Sequence, residues 1–167
     1  MGDKLLYSDI LRDIKTVGEL EDFVLEIDTI LGSLYKGENK TTDEILGKKV
    51  GKSTAVKIKK LIEKNKINTF DYPAVEKLLS GLKECLKQSK TLKMSLAIDP
   101  SQETIGHIFN WVLENMGDGI VLDIDRDESI LGGAVISFNG LYKDFSLRRA
   151  LEEVFNSKKA EIMNFAK

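Results

Sequence analysis

The chain has 167 residues and a mass of 18.7 kDa, enough for one medium domain or two small ones with a buried core. Its composition, 42% hydrophobic and 31% charged with two prolines, excludes a disordered tail, a collagen-like repeat and a disulfide scaffold. The 25 basic and 27 acidic side chains give a net charge of -2, so the overall charge does not favour nucleic acid or an anionic membrane as a partner. Cys85 is the single cysteine and has no intramolecular partner for a disulfide.

The N-terminal residues lack the pattern of a targeting segment. Acidic residues at Asp3, Asp9 and Asp13 are unlike a transit peptide, and the apolar block of a signal peptide is missing. No apolar run approaches the roughly 18 residues that cross a bilayer. Any association with a membrane is therefore expected to go through a partner.

The first half of the chain has the apolar periodicity of helices, with steps of three and four residues. Thr16, Thr41 and Asp71 each stand where a side chain that caps a helix is expected. Four or five amphipathic segments with short connections predict a helical bundle over residues 1–90.

The periodicity changes near residue 91, where apolar and polar residues begin to alternate as in a strand with one buried face. A helix ending at Gly117, a second strand, a hairpin around Asn139–Gly140 and a helix beginning at Ser146 follow. The sequence thus predicts an α+β fold, in which residues 91–167 form a small α/β domain with a three- to four-stranded sheet and two helices. The last helix is expected to cover one face of the sheet with its apolar stripe, Leu147, Ala150, Leu151, Val154 and Phe155.

One glycine- and lysine-containing stretch, Gly47–Thr54, superficially resembles a phosphate-binding loop. Its two glycines are separated by three residues, not the four of that motif, and the preceding pattern is helical where the motif needs a buried strand. We therefore expect no nucleotide at this stretch.

Asp123, Asp125 and Asp127 have the spacing that opens a calcium-binding loop. That loop requires glycine at its sixth position and glutamate at its twelfth, but this chain has Glu128 and Ala134 there. The alternation indicates the solvated face of a strand.

No constellation of residues suggests catalysis or a metal site. His107 is the single histidine and is expected on the solvent side of its helix, and Cys85 is expected in the core. No Ser, Cys and His set with nucleophilic chemistry is apparent. We expect a protein that is not an enzyme and that binds no cofactor and no metal.

Residues Lys48–Lys66 include eight lysines and one acid, Glu63, which gives this stretch a local charge of +7. A solvated helix face, a contact with an acidic protein partner and a nucleic-acid-binding patch are the three interpretations. The stretch has no arginine and no aromatic residue for base contacts, although its lysines could neutralise phosphates.

The C-terminal motifs carry a resemblance to a known family. A glycine pair, Gly132 and Gly133, precedes a hairpin, and an Asp-x-Ser-x-Arg-x-x-Leu pattern then opens the last helix with Asp144, Ser146, Arg148 and Leu151. In this order the motifs resemble the delta subunit of F-type ATP synthases, the relative of mitochondrial oligomycin-sensitivity-conferring protein. The chain departs from the family in its shortened N-terminal bundle and in Phe145, where the family usually has glycine.

The resemblance implies a non-catalytic stator subunit that links the catalytic alpha/beta head to the b-type peripheral stalk. Rotor torque would then drive ATP synthesis coupled to proton transport. The bundle would bind the N-terminal segments of the alpha subunits, and the C-terminal domain would bind the b subunit. The implied location is peripheral, at the cytoplasmic face of a bacterial plasma membrane and within the complex.

Two sets of side chains are candidates for these contacts. For the alpha subunit we expect an apolar groove formed by Tyr7, Ile10, Leu11, Ile14, Val56 and Ile58; the alternative is that these side chains are core of the bundle. For the b-type stalk we expect Trp111 and Phe145, two aromatic residues that the local pattern leaves without a core role. The motif residues Gly132, Gly133, Asp144, Ser146, Arg148 and Leu151 are expected to be structural. The alternative is a nucleic-acid-binding module that acts through Lys48–Lys66.

Overall fold

The structure is a computed structural model that describes residues 2–35 and 41–165, with side chains described for 6–34 and 41–158. Within the described ranges the chain forms five helices, then a strand, a helix, a strand, a hairpin and a final helix. The predicted α+β fold, a helical bundle followed by a small α/β domain, is confirmed. None of the helices in these ranges is both long enough and apolar enough to span a membrane.

The N-terminal helices are α1 (Gly2–Leu11), α2 (Val17–Tyr35), α3 (Thr42–Lys49), α4 (Lys52–Lys64) and α5 (Tyr72–Lys87). The predicted caps are present. The hydroxyl of Thr16 accepts a hydrogen bond from the amide of Glu19, and Thr41 and Asp71 accept from amides in the first turns of α3 and α5. Each cap satisfies a backbone donor that the helix leaves free and so fixes where the helix begins.

The helices enclose one apolar core, because each of them turns an apolar stripe inward. Ile27 and Ile30 of α2, Leu46 of α3, Ile58 of α4 and Leu79 of α5 are fully buried. Burying side chains of this size contributes about 2 kcal/mol each relative to exposure. Packing around this core fixes the positions of the five helices relative to one another.

The C-terminal elements are β1 (Lys90–Leu96), α6 (Gln102–Met116), β2 (Ile120–Arg126), β3 (Gly133–Phe138), β4 (Leu141–Ser146) and α7 (Leu147–Phe165). The strands form one mixed sheet in the order β2-β1-β3-β4. β3 is antiparallel to both β1 and β4, and α6 connects β1 to its other neighbour, β2. Asn139 and Gly140 both have positive φ in the β3–β4 turn, as the sequence predicted.

The chain divides into two compact units. One comprises the chain up to Lys90 together with Leu113–Val121, and the other comprises Thr91–Val112 and the residues from Leu122 onward. The end of α6 and the beginning of β2 therefore belong to the N-terminal unit, to which Val121 contributes a buried side chain.

The expectation that α7 covers a face of the sheet with its apolar stripe is wrong. Leu147, Leu151, Val154 and Phe155 are 42% to 60% exposed, and Ala150 is exposed as well. The stripe was recognised from its helical spacing, which identifies an apolar helix face but not what covers it. The amide of Leu147, at the start of α7, donates a 2.8 Å hydrogen bond to the carbonyl of Gly132, the residue before β3.

Candidate partner-binding surfaces

A hollow of about 300 Å³ lies between α1 and α4 in the N-terminal unit. Leu6 and Ile10 of α1 and Leu61 of α4 form its apolar floor. Five charged side chains surround this floor: Asp9, Asp13, Lys57, Lys60 and Lys64. An apolar floor with a polar rim is the usual arrangement of a surface that takes one or two apolar side chains of a partner.

Two ion pairs cross this hollow from α4, one to Asp9 of α1 and one to Asp13, which follows α1. Lys64 Nζ lies 2.7 Å from Asp9 Oδ2, and Lys57 Nζ lies 3.8 Å from Asp13 Oδ2. The hydrogen bond from Lys64 to Asp9 holds the pKa of that carboxyl below its ordinary value. Lys60 stands between the two pairs on α4 and forms no ion pair with any residue in the described part of the chain. Among the described residues, it is therefore the rim lysine without a carboxylate partner.

Most of the residues predicted for the alpha-subunit groove lie in the core of the bundle. Tyr7, Leu11, Ile14 and Ile58 are at most 5% exposed. The hydroxyl of Tyr7 donates a buried hydrogen bond of 3.2 Å to the carbonyl of Leu78. Tyr7, Leu11 and Ile58 pack α1 and α4 against the bundle and do not line the hollow between them. Ile14, in the connection between α1 and α2, lines the second hollow described below.

The other two predicted groove residues behave differently. Ile10 is also nearly buried, but it lines the floor of the hollow. Val56 is 51% exposed on α4 and does not line the hollow. Sequence reasoning missed Leu6, Leu61 and Lys60. The spacing of Lys57, Lys60 and Lys64, which places three lysines along one side of α4, was the signal that could have indicated them.

A second hollow, of about 500 Å³, lies between α2 and the first turns of α4. Phe23 contributes an aromatic ring to it, with Lys57 Nζ 5.8 Å from the ring centroid. The carboxylate of Glu26 accepts a 2.8 Å hydrogen bond from the amide of Gly51, which precedes α4. Glu19 and Asp22 of α2 add further negative charge to the lining of this hollow.

The lysine-rich stretch Lys48–Lys66 covers the end of α3 and all of α4. Three of its lysines, Lys57, Lys59 and Lys64, pair with aspartates of neighbouring segments. Gly51 lies between two helices, so the glycine-containing part of the stretch follows a helix and not a strand.

The glycine pair and the Asp-x-Ser pattern fix the junction between β4 and α7. Gly133 has a φ of +85°, and a Cβ there would collide with the carbonyl oxygen of Phe145 on the paired strand. Asp144 accepts a 2.7 Å hydrogen bond from the amide of Ser146. Hydrogen bonds from the hydroxyl and the amide of Ser146 hold the pKa of the Asp144 carboxyl below its ordinary value.

The remaining motif positions lie on the first turns of α7. The hydroxyl of Ser146 accepts a weak hydrogen bond, 3.4 Å long, from the amide of Arg149 and so caps the helix. Arg148 pairs with Glu152 one turn on, and Leu151 is 42% exposed. This junction sets the direction in which α7 leaves the sheet.

The C-terminal unit exposes an apolar surface on α7 and on the edge strand β4. The exposed face of α7 carries Leu147, Leu151, Val154 and Phe155. Phe145 on β4 is 60% exposed and lines a hollow of about 480 Å³ beside the first turns of α7. The hollow lies on the side of Arg149 and Glu153, whereas the four apolar side chains of α7 share another side of the helix. Large apolar side chains grouped along one helix face, as on α7, mark a site of contact with a partner.

Trp111 is 59% exposed on α6. Phe145 is exposed to the same extent, so both predicted stalk contacts are accessible in the C-terminal unit.

The residues considered for metal binding or catalysis lie apart from these hollows. His107 is exposed beside Glu103 on α6, and Cys85 is buried in α5. Asp123 and Asp125 lie on β2, as predicted, but Asp127 lies just beyond the end of that strand, where its carboxylate accepts hydrogen bonds from the amide and the hydroxyl of Ser129. Within residues 2–35 and 41–165 no group of three or more His, Cys, Asp or Glu side chains is placed to hold a metal ion.

Comparison with known proteins agrees with the C-terminal motifs. A family model described as ATP synthase delta (OSCP) subunit matches residues 29–157, which is more than half of the chain. A relative from Hydrogenobaculum sp. (strain Y04AAS1), named ATP synthase subunit delta, is 26% identical over 185 aligned positions that cover 96% of this chain and 94% of the relative. The glycine pair, the hairpin and the capped start of α7 fall inside the matched range. The chain belongs to the ATP synthase delta (OSCP) subunit family.

Proposed function

We propose that the chain is a non-catalytic stator subunit of an F-type ATP synthase, which joins the catalytic alpha/beta head to a b-type peripheral stalk. Family membership over residues 29–157 is the observation that carries the proposal. A static link needs two separate attachment surfaces. Each of the two compact units offers one: the hollow between α1 and α4, and the exposed apolar surface of β4 and α7.

The hollow between α1 and α4 is the proposed seat for the N-terminal segments of the alpha subunits. An amphipathic helix laid along α1 and α4 would insert apolar side chains over Leu6, Ile10 and Leu61. Its polar flanks would meet the charged rim. The buried residues Tyr7, Leu11, Ile14 and Ile58 support the seat from beneath.

The exposed apolar face of α7, with Phe145 and Trp111, is the proposed surface for the b-type stalk. An apolar stripe at helical spacing is suited to packing against another helix. Aromatic side chains provide large contact areas for little loss of conformational freedom, so they commonly dominate the affinity of interfaces. Arg148 and Arg149 pair with glutamates one turn on, which leaves the flanks of the stripe nearly neutral.

In this role the chain transmits force and performs no chemistry. Torque from the rotor would turn the head unless a rigid connection to the stalk held it. With the head held, the torque drives ATP synthesis coupled to proton transport. The chain would reside at the cytoplasmic face of a bacterial plasma membrane, held there by its partners in the complex.

The alpha-subunit contact is tested by titrating the chain with a labelled peptide of the alpha subunit's N-terminal segment. Leu6→Ala removes apolar area from the floor at a half-buried position and should weaken binding about tenfold. Val56→Ala is the matched comparison on α4, since Val56 lies outside the lining of the hollow. If Val56→Ala weakens binding and Leu6→Ala does not, the seat lies elsewhere on the bundle.

The stalk contact is tested by pull-down with the C-terminal segment of the b subunit. Trp111→Ala, Phe145→Ala and Phe155→Ser should each reduce recovery of the chain. Ile98→Ala is the control, because Ile98 is 73% exposed in the same unit but lies before α6 and off the proposed surface. Unchanged recovery of all three folded variants would show that the stalk binds elsewhere.

The alternative, a nucleic-acid-binding module acting through Lys48–Lys66, predicts affinity that falls steeply as salt rises. The ion pairs of Lys57, Lys59 and Lys64 with aspartates reduce the positive charge that this stretch can offer to phosphates. No feature of the described surface favours it over the stator role.

A further inference from the structure

The two hollows of the N-terminal unit adjoin each other along α4. Both are lined by Lys57 and Asp13, whose ion pair stands at their shared boundary. Together they form one surface, here called the α4 groove, that extends from Ser53 to Lys64. At 1.5 Å per residue this length is about 16 Å, which matches roughly three turns of a docked helix.

The two ends of the α4 groove carry opposite charge. Leaving aside the shared ion pair, the end near Lys64 holds two lysines, Lys60 and Lys64, against Asp9. The described side chains that line this end therefore sum to about +1.

The other end, near Ser53, lies against α2. Three acids line it, Glu19, Asp22 and Glu26, against the single base Lys15, for a net charge of about -2. A helix lying in the α4 groove would thus meet a basic surface at one end and an acidic surface at the other.

We propose that this charge polarity sets the direction in which the alpha-subunit segment docks. The inference rests on the proposed function, because it takes an amphipathic helix of the alpha subunit as the occupant. The more acidic end of that helix lies beside Lys60 and Lys64, and its more basic end lies beside Glu19, Asp22 and Glu26. Full side-chain charges exceed the half charges of a helix dipole, so they decide between the two directions.

The apolar floor alone does not distinguish these directions. Leu6, Ile10 and Leu61 are aliphatic and make contacts that depend little on the direction of the partner's backbone. Opposed charges favour one direction and disfavour the reverse, in which like charges meet at both ends. The polarity therefore supplies specificity, while the floor supplies contact area.

The test uses the full chain and two peptides, the native N-terminal segment of the alpha subunit and a version in which every charge is inverted. Each peptide carries a nitroxide at its N-terminus, and broadening of amide resonances near Ser53 and near Lys64 reports its direction. The native and inverted peptides should broaden opposite ends of the α4 groove. Binding of both peptides in the same direction, or of either in both directions, overturns the inference but leaves the proposed function intact.

A variant pair tests the same inference by affinity. Lys60→Glu reverses the charge of one rim lysine at the basic end. It should weaken binding of the native peptide about fivefold and make the affinity less dependent on salt concentration. Lys52→Glu makes the same charge change on α4 beside the acidic end, outside the lining, and so should not weaken binding of the native peptide. Equal affinities of Lys60→Glu and the wild type overturn the inference. If the native peptide fails to bind the wild type at all, the alpha-subunit contact in the proposed function fails with it.

Discussion

Gly133→Ala should destabilise the C-terminal unit far more than Gly140→Ala, although both glycines have positive φ. Their φ values are +85° and +79°, so each substitution places a side chain in the left-handed region at about 1–2 kcal/mol. A Cβ at Gly140 would have no heavy atom within 4 Å. A Cβ at Gly133 would collide with the carbonyl oxygen of Phe145 and lie 3.2 Å from Cα of Ser146.

The collision at Gly133 involves backbone and cannot be relieved by rotating a side chain. Strand β3 or the junction of β4 with α7 would have to move, which adds about 1–3 kcal/mol, the usual cost of overpacking. The total for Gly133→Ala is therefore about 2–5 kcal/mol, against about 1–2 kcal/mol for Gly140→Ala. Gly140→Ala is thus a control: it has the cost of a positive φ but not the collision with neighbouring backbone, so the difference between the two variants measures that collision.

Urea denaturation of the full chain measures this difference. Trp111 is the single tryptophan and lies in the same compact unit as both glycines, so its fluorescence reports unfolding of that unit. The transition midpoint of Gly133→Ala should fall well below that of Gly140→Ala with a similar slope. Equal midpoints would refute the idea that the glycine pair is required by close packing of the backbone.

Three further predictions concern stability. Gly81→Ala should destabilise the wild type, because the added Cβ would lie 2.6 Å from the hydroxyl of Tyr7. In a Tyr7→Phe background the same substitution should stabilise the chain by about 0.5–1 kcal/mol, because alanine has the higher helix propensity. Additive effects of the two substitutions in thermal unfolding would contradict this coupling. Asp144→Asn should flatten the loss of stability at acid pH. The hydrogen bonds from Ser146 lower the pKa of Asp144, so its contribution to stability is present above the ordinary carboxyl pKa and lost as the pH falls through the lowered value. An unchanged slope of stability against pH below about pH 4 would count against a stabilising role for these hydrogen bonds. Leu79→Ala should lower the free energy of unfolding, measured by denaturant titration, by about 2–5 kcal/mol, because Leu79 is fully buried in the bundle. A decrease below about 1 kcal/mol would place Leu79 outside the core.

Local patterns in the sequence predicted the elements well, because the interactions that start and end them are local. Thr41 and Asp71 cap their helices through amides three residues away. Asn139 and Gly140 form the hairpin turn because both residues adopt positive φ angles. The change from helical to alternating periodicity near residue 91 likewise marked the first strand.

The surfaces were harder to predict, because periodicity distinguishes an apolar face from a polar one but does not identify its neighbour. The stripe of α7 was expected against the sheet and is exposed. Tyr7 and Ile58 were expected in a groove and are in the core, whereas Leu6 and Lys60, which line the hollow, were not singled out. Which side chains surround a hollow depends on how two helices pack, and that depends on contacts distant in sequence, such as the one between Tyr7 and Leu78.

The proposed stator role requires that one chain bind the alpha/beta head and the b-type stalk at the same time. Light scattering measures the masses of the complexes in a mixture of the chain, the head and the soluble part of the stalk. We expect one ternary complex with the mass of all three components, and no association of head with stalk when the chain is omitted. If the chain binds only one partner, or if the two partners exclude each other on it, the proposed role is wrong.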